Sequence, residues 1–253
     1  STIASLIATY SAVILSDMVE VNYYSICRGM AMELSRGLDN GDGNGTAADG
    51  QLHVDEIDSS TLICSAVGMI KDIDSGSGSS YPDQFTAVGS TLYFRATDGT
   101  NGYELWKSDG TASGTVMVKD IISGSSSGYP SSLTVLGNTL YFRASDGTNG
   151  SELWKSDGTP SGTVMVKNIR SGSSSSYPEL ITLVGNTLYF RADNGINGRE
   201  LWKSDGTASG TALVKDINSG SGEGYPSLLT AVGNTLYFQA TDGTNGYELW
   251  KSD

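Results

Sequence analysis

The residues best suited to chemistry lie in one acidic stretch, LDNGDGNGTAADGQLHVDEID, from Leu38 to Asp58. Its side chains are oxygen donors, and a hard cation such as Ca²⁺ takes about six to eight oxygens. His53 is the chain's single histidine. That excludes a zinc site built from several imidazoles and a histidine-based triad repeated along the chain. One histidine beside acidic residues on a loop reads as solvated. No phosphate loop of the form GxxxxGK[ST] is present, and GSSSGYP and its relatives read as turns. Carboxylate pairs elsewhere sit in turns, where solvation, capping or cation binding accounts for them.

Within the acidic stretch the spacing resembles an EF-hand loop, in which a glutamate follows the central glycine by six residues. Glu56 stands six after Gly50, Asp49 precedes that glycine, and Leu52 occupies the apolar position. Asn44–Ala48 reads as an insertion that displaces the upstream ligands, leaving Asp39, Asp42 and Asn44 as the remaining donors. The expected calcium set is therefore Asp39, Asp42, Asn44, Asp49 and Glu56; the alternative is an acidic turn that binds nothing. Cys27 and Cys64 bracket the stretch. A disulfide suits a loop-rich segment too small to build a core, with two buried thiols as the other reading. The whole arrangement resembles a small Cys-flanked module of bacterial surface proteins, which carries an EF-hand-like loop between paired cysteines. Its usual loop is shorter than this one.

The chain that must position these groups has 253 residues, 33 of them glycine, and a formal charge of −13. Such a glycine content suits strands joined by tight turns. The negative charge repels phosphate and argues against nucleic acid as a partner. No apolar run reaches the roughly 20 residues of a membrane span. No basic segment precedes the apolar start, so the chain reads as a mature one.

Beyond the cysteines one pattern repeats. Trp106, Trp154, Trp202 and Trp250 follow one another at 48 residues, as do Tyr81, Tyr129, Tyr177 and Tyr225, each before a proline. Thr115–Gly162 and Thr163–Gly210 differ at only 13 of 48 positions. A period of this size marks stacked or radial units that cannot bury their apolar surface alone. Each unit reads as four short strands, in the second copy SLTVLG (132–137), NTLYFRA (138–144), SELWKS (151–156) and GTVMVKNI (162–169), separated by Gly/Asn/Asp turns. The middle strands are apolar on both faces, which requires sheet on both sides. The expected fold is all-β: a four-bladed β-propeller over 66–253, preceded by a disulfide-closed calcium-loop module over 1–65. The tryptophans are read as packing between blades, with sugar stacking as the alternative. The repeat region opens at VGMIKDI (67–73), a fourth strand, and closes at ELWKSD, a third strand. Strand 67–73 is therefore expected to complete the last blade, although a longer chain with more blades fits as well.

The octet ELWKSDGT, with Gly-Thr following and LYF before DGxxG, resembles the ELWxxDGT repeat family of secreted bacterial proteins. The resemblance covers Val67–Asp253 and implies an extracellular or cell-surface propeller-like protein with no established catalytic residues. The expectation is a non-enzymatic structural or assembly protein, such as a subunit of a surface filament or matrix, with copies of itself as partners. The alternative is a lectin-like binder of surface glycans or other ligands. The apolar start, Ser1–Leu15, is the candidate pairing strand. Asp98, Asp146 and Asp242 in the DGTNG turns are weaker calcium candidates, and Asn44 and Asn149 head glycosylation sequons.

Overall fold

The chain divides into two compact units, Ser1–Gly68 and Met69–Asp253. The computed structural model describes residues 67–253, and these contain strands and turns but no helix. The expected disulfide of Cys27 and Cys64, the calcium set Asp39, Asp42, Asn44, Asp49 and Glu56, His53 and the pairing strand all lie outside the described residues.

Four antiparallel sheets follow one another. The first contains β1 (Asp83–Val88), β2 (Thr91–Thr97), β3 (Tyr103–Ser108) and β4 (Val116–Lys119) in that order. The second repeats it with β5 (Ser131–Leu136), β6 (Thr139–Ser145), β7 (Ser151–Ser156) and β8 (Val164–Lys167). β9 (Glu179–Val184), β10 (Thr187–Asp193), β11 (Arg199–Ser204) and β12 (Ala212–Lys215) make the third. The fourth holds three strands, β13 (Ser227–Val232), β14 (Thr235–Thr241) and β15 (Tyr247–Ser252). Two-residue turns of the Gly-Asn kind join the first two strands of a sheet. Gly137 at φ +62°, for example, adopts a left-handed conformation that other residues resist.

Alternation explains the burial. In β6 Leu140, Tyr141, Phe142 and Ala144 are buried, and in β7 Glu152, Leu153 and Trp154 are buried, so both faces of each middle strand are covered. Phe142 lies opposite Trp154 in the ladder. One apolar cluster joins Leu105, Val118 and Ile121 of the first repeat to Leu140, Phe142, Ala144 and Trp154 of the second. Another joins Leu153, Val166 and Ile169 to Leu188, Phe190, Ala192 and Trp202. The core is thus a series of layers between consecutive sheets. The first strands β1, β5, β9 and β13 also meet one another in succession.

The expected clasp is corrected. Residues 67–73 form no strand, and among the described residues no fourth strand pairs with β15. The segment instead lies against the first sheet: Ile73 packs on the cluster of Phe94, Ala96 and Trp106, and Lys71 Nζ donates to the Thr115 carbonyl at 2.8 Å. Lys119 and Lys167 make the same bond to Thr163 and Thr211. The segment has thus satisfied its contacts to the following sheet without joining β15.

Candidate functional site

The repeated octet is accounted for by structure, residue by residue. Glu104 is fully buried, and its carboxylate accepts the N–H of Ile121 (3.1 Å) and of Gly128 (2.6 Å). It ties β3 to the segment that leads into the next sheet. Glu152 does this with Ile169 and Ser176, and Glu200 with Ile217 and Gly224. Leu105, Leu153 and Leu201 are buried, Trp154 and Trp202 fill layers between sheets, and Trp106 packs within the first sheet beneath Ile73. Lys107 and Lys155 reach forward to the carbonyls of Gly158 and Gly206 in the next octet. Ser108 shares a hydrogen bond with Thr115 at 2.7 Å, closing β3 on β4. Asp157 accepts the N–H and hydroxyl of Thr159, and these bonds lower its pKa. Gly158 has φ +87°, and a Cβ there would collide with the Tyr93 hydroxyl. Every position in the octet serves a turn or a boundary between sheets.

Burial raises the pKa of all three glutamates, that of Glu104 to about 7, with Asp120 adding to the effect and the N–H donors opposing it. A carboxyl poised near neutrality is a frequent mark of catalysis. Here both oxygens hold backbone N–H groups, so the shift belongs to a structural tie. The weaker calcium candidates are accounted for in the same way. Asp98 accepts the N–H groups of Thr100 and Asn101 and the Asn101 amide, as Asp146 and Asp242 do in their own turns. Among the described residues no group of three or more His, Cys, Asp or Glu gathers to hold a metal.

What distinguishes one place is departure from the repeat. A crevice of about 510 Å³ lies between the second and third sheets, lined by Asn168 and Arg170 on one wall and by Asn194, Ile196 and Trp202 on the other. At the equivalent positions one repeat earlier stand Asp120, Ile122, Asp146, Thr148 and Trp154. Asp193, where the earlier repeat has Ser145, pairs with Arg170 at 2.6 Å. Five of the 13 differences between these two repeats therefore fall on this crevice or its ion pair. Two carboxylates are lost, while one guanidinium and one carboxylate are gained, so the boundary is two charges more positive than its predecessor.

Local bonding fixes the walls. The Asn168 amide donates to Asn149 Oδ1 (3.0 Å) and to the Gly172 carbonyl (3.3 Å), and its own Oδ1 is buried without a partner. Asn194 Oδ1 accepts the N–H of Ile196 and of Asn197, each at 2.9 Å. That turn leaves Ile196 72 % exposed at the rim. Arg170 lies over Gly195, where a Cβ would come within 3.0 Å of its Nε. The rim thus carries a guanidinium paired with one carboxylate beside an exposed aliphatic side chain. The sequence reading missed this crevice. Five of the 13 differences carried the signal, two in the loop after the fourth strand and three at the turn between the second and third, while another five fall in the first strand.

No family model matches the chain, and no curated protein matches it. Among solved structures the chain is similar to a puromycin hydrolase mutant complexed with PGG, at 14 % identity and a TM-score of 0.44. It is also similar to a prolyl endopeptidase, at 14 % identity and a TM-score of 0.37. Each match covers 65 % of this chain and 25 % of the other, so the chain spans about a quarter of the length of the solved chains it matches. Both are enzymes. The expectation of a non-enzymatic structural subunit, with a lectin-like binder as its alternative, is corrected by these neighbours and set aside. At that identity and those TM-scores no residue role passes from them to this chain.

Proposed function

We propose that residues 67–253 are blades of a β-propeller that selects and holds substrate for an enzyme, with the reacting groups supplied from outside these residues. The succession of β1, β5, β9 and β13 supports the propeller reading, because first strands line the axis in such folds. The chain's only histidine and its two cysteines lie before residue 67. The buried glutamates are committed to backbone N–H groups. Recognition is what the described residues offer.

The observation that carries this reading is the convergence of Asn168, Arg170, Asp193, Asn194 and Ile196, five of the 13 differences from the preceding repeat, on one crevice and its ion pair. The substrate class is a short peptide with a free carboxylate: Arg170 suits the carboxylate, the asparagines suit amide groups, and Ile196 suits an apolar side chain. The test is a variant with Asn168→Asp, Arg170→Ile, Asp193→Ser, Asn194→Asp and Ile196→Thr, which copies the boundary one repeat earlier. It is expected to melt as the parent does and to bind C-terminally free hydrophobic dipeptides about tenfold more weakly by calorimetry, with the amidated dipeptides binding neither protein. Equal affinity in parent and variant, or no binding to the parent, overturns the reading.

A further inference from the structure

The turn between the second and third strands of a sheet begins Asp98-Gly99, Asp146-Gly147 and Asp242-Gly243 in the first, second and fourth repeats. In the third it begins Asn194-Gly195. The residue before it differs as well. Thr97, Ser145 and Thr241 accept the glycine N–H on a hydroxyl, at 3.1, 3.2 and 3.1 Å. Asp193 instead accepts that of Gly195 on a carboxylate oxygen, at 2.6 Å.

The two differences together assemble reacting groups. Asparagine carries an electrophile, the amide carbon Cγ, on which the next backbone nitrogen can close a succinimide ring. That closure needs a base at the nitrogen, a polarised carbonyl and an unhindered approach. Asp193 stands within the reach of a general base, roughly 2.6–3.2 Å from the donor atom. Arg170 pairs with the other oxygen of Asp193 and holds it in place. Asn194 Oδ1 accepts the N–H of Ile196 and of Asn197, each at 2.9 Å, so fixed donors face the oxygen on which charge develops. The nucleophile belongs to an exposed glycine, with no Cβ to crowd the attack. Chain connectivity already holds nitrogen and carbon together.

We infer that Asn194 is a self-modification site, converted by the groups of its own turn to aspartate and isoaspartate. The Gly195 nitrogen bonds to Asn194 Cγ while its proton passes to the Asp193 carboxylate. The bond from Cγ to Nδ2 then breaks, and that nitrogen takes up a proton in return and leaves as ammonia. Water opens the succinimide: attack at Cγ gives aspartate, and attack at the main-chain carbonyl gives isoaspartate. The net change is water in and ammonia out, with no oxidant or reductant. Aspartate restores the residue of the other turns. Either product adds a carboxylate to the crevice wall facing Arg170. The reaction needs no ligand and is independent of what the crevice binds.

Asn101, Asn149 and Asn245 also precede glycine, and their amides donate to Asp98, Asp146 and Asp242, so the chain contains its own standards. The full chain is kept in neutral buffer made with heavy-oxygen water and followed by tryptic peptide mass spectrometry. Fragmentation separates Asn194 from Asn197 within the peptide Ala192–Arg199. Asn194 should convert at least about tenfold faster than the standards, with heavy oxygen in its product. Asp193→Asn keeps an acceptor but removes the base, and Asp193→Ser supplies the hydroxyl of the second repeat. Each should slow Asn194 about tenfold and leave the standards unchanged. In urea that unfolds the chain, Asn194 of the parent should fall to the rate of the standards. The inference is overturned if the folded parent converts Asn194 no faster than the standards, or if both Asp193 variants keep its rate. It is overturned equally if the excess survives in urea, because the local sequence alone then sets it.

Discussion

Glu104, Glu152 and Glu200 show how a residue that looks chemical can be architectural. Each is buried beyond the reach of water and accepts N–H groups from the segment that crosses to the next sheet. Truncating Glu152 to alanine orphans those donors, at about 1–3 kcal/mol for each one left buried. Urea unfolding should show that loss, with Glu152→Gln losing less because one acceptor remains. The raised pKa values give the pH dependence its sign. A carboxyl that holds its proton more tightly when folded adds stability below the ordinary carboxylate pKa, and that stability is lost as the pH rises through the folded value, about 7 for Glu104. The urea midpoint of the parent should therefore fall between pH 5 and 8. A Glu104→Gln, Glu152→Gln, Glu200→Gln variant should show a flatter profile, and an unchanged slope would count against these three groups as its source.

At the scale of elements, a middle strand is stable only when sheet covers both its faces. Leu153 of β7 has that cover and is 0 % exposed, whereas Leu249, its equivalent in β15, is 79 % exposed. Leu153→Ala should cost roughly 2–5 kcal/mol. Leu249→Ala should stay within about 0.5 kcal/mol, as surface substitutions do. Chemical denaturation of the two variants separates them. Strand positions were legible in advance because the period is short and the turns are glycine-marked: the run expected over 151–156 is β7, and that over 138–144 is β6 to within a residue. The fate of 67–73 was not legible. Its sequence matches a fourth strand, but pairing with β15 is a contact between distant ends, and local pattern does not determine such contacts. The positive φ of Tyr81, Tyr129, Tyr177 and Tyr225 was equally hidden, since tyrosine carries no signal for it. The crevice needed a different reading, one that asks where copies disagree rather than where they agree.

For the whole molecule, layered cores make stability a sum over boundaries between sheets, as in other repeat proteins. The second and third sheets have a neighbour on each side, through the clusters around Phe142, Phe190 and Phe238. In the fourth sheet Tyr247 and Leu249 of β15 are exposed, and its glutamate, Glu248, lies exposed where Glu152 and Glu200 are buried. Opening free energy should therefore be graded along the array instead of uniform. Hydrogen exchange followed by mass spectrometry should find the slowest amides in β6, β7, β10 and β11, and faster exchange in β14 and β15. The gradient should also move with the boundary residues. Lys155→Met removes the bond to the Gly206 carbonyl between the second and third sheets, so protection in β10 and β11 should fall while that in β2 and β3 is unchanged. Loss of protection by the same factor in every strand would instead mean that the array opens as one cooperative body.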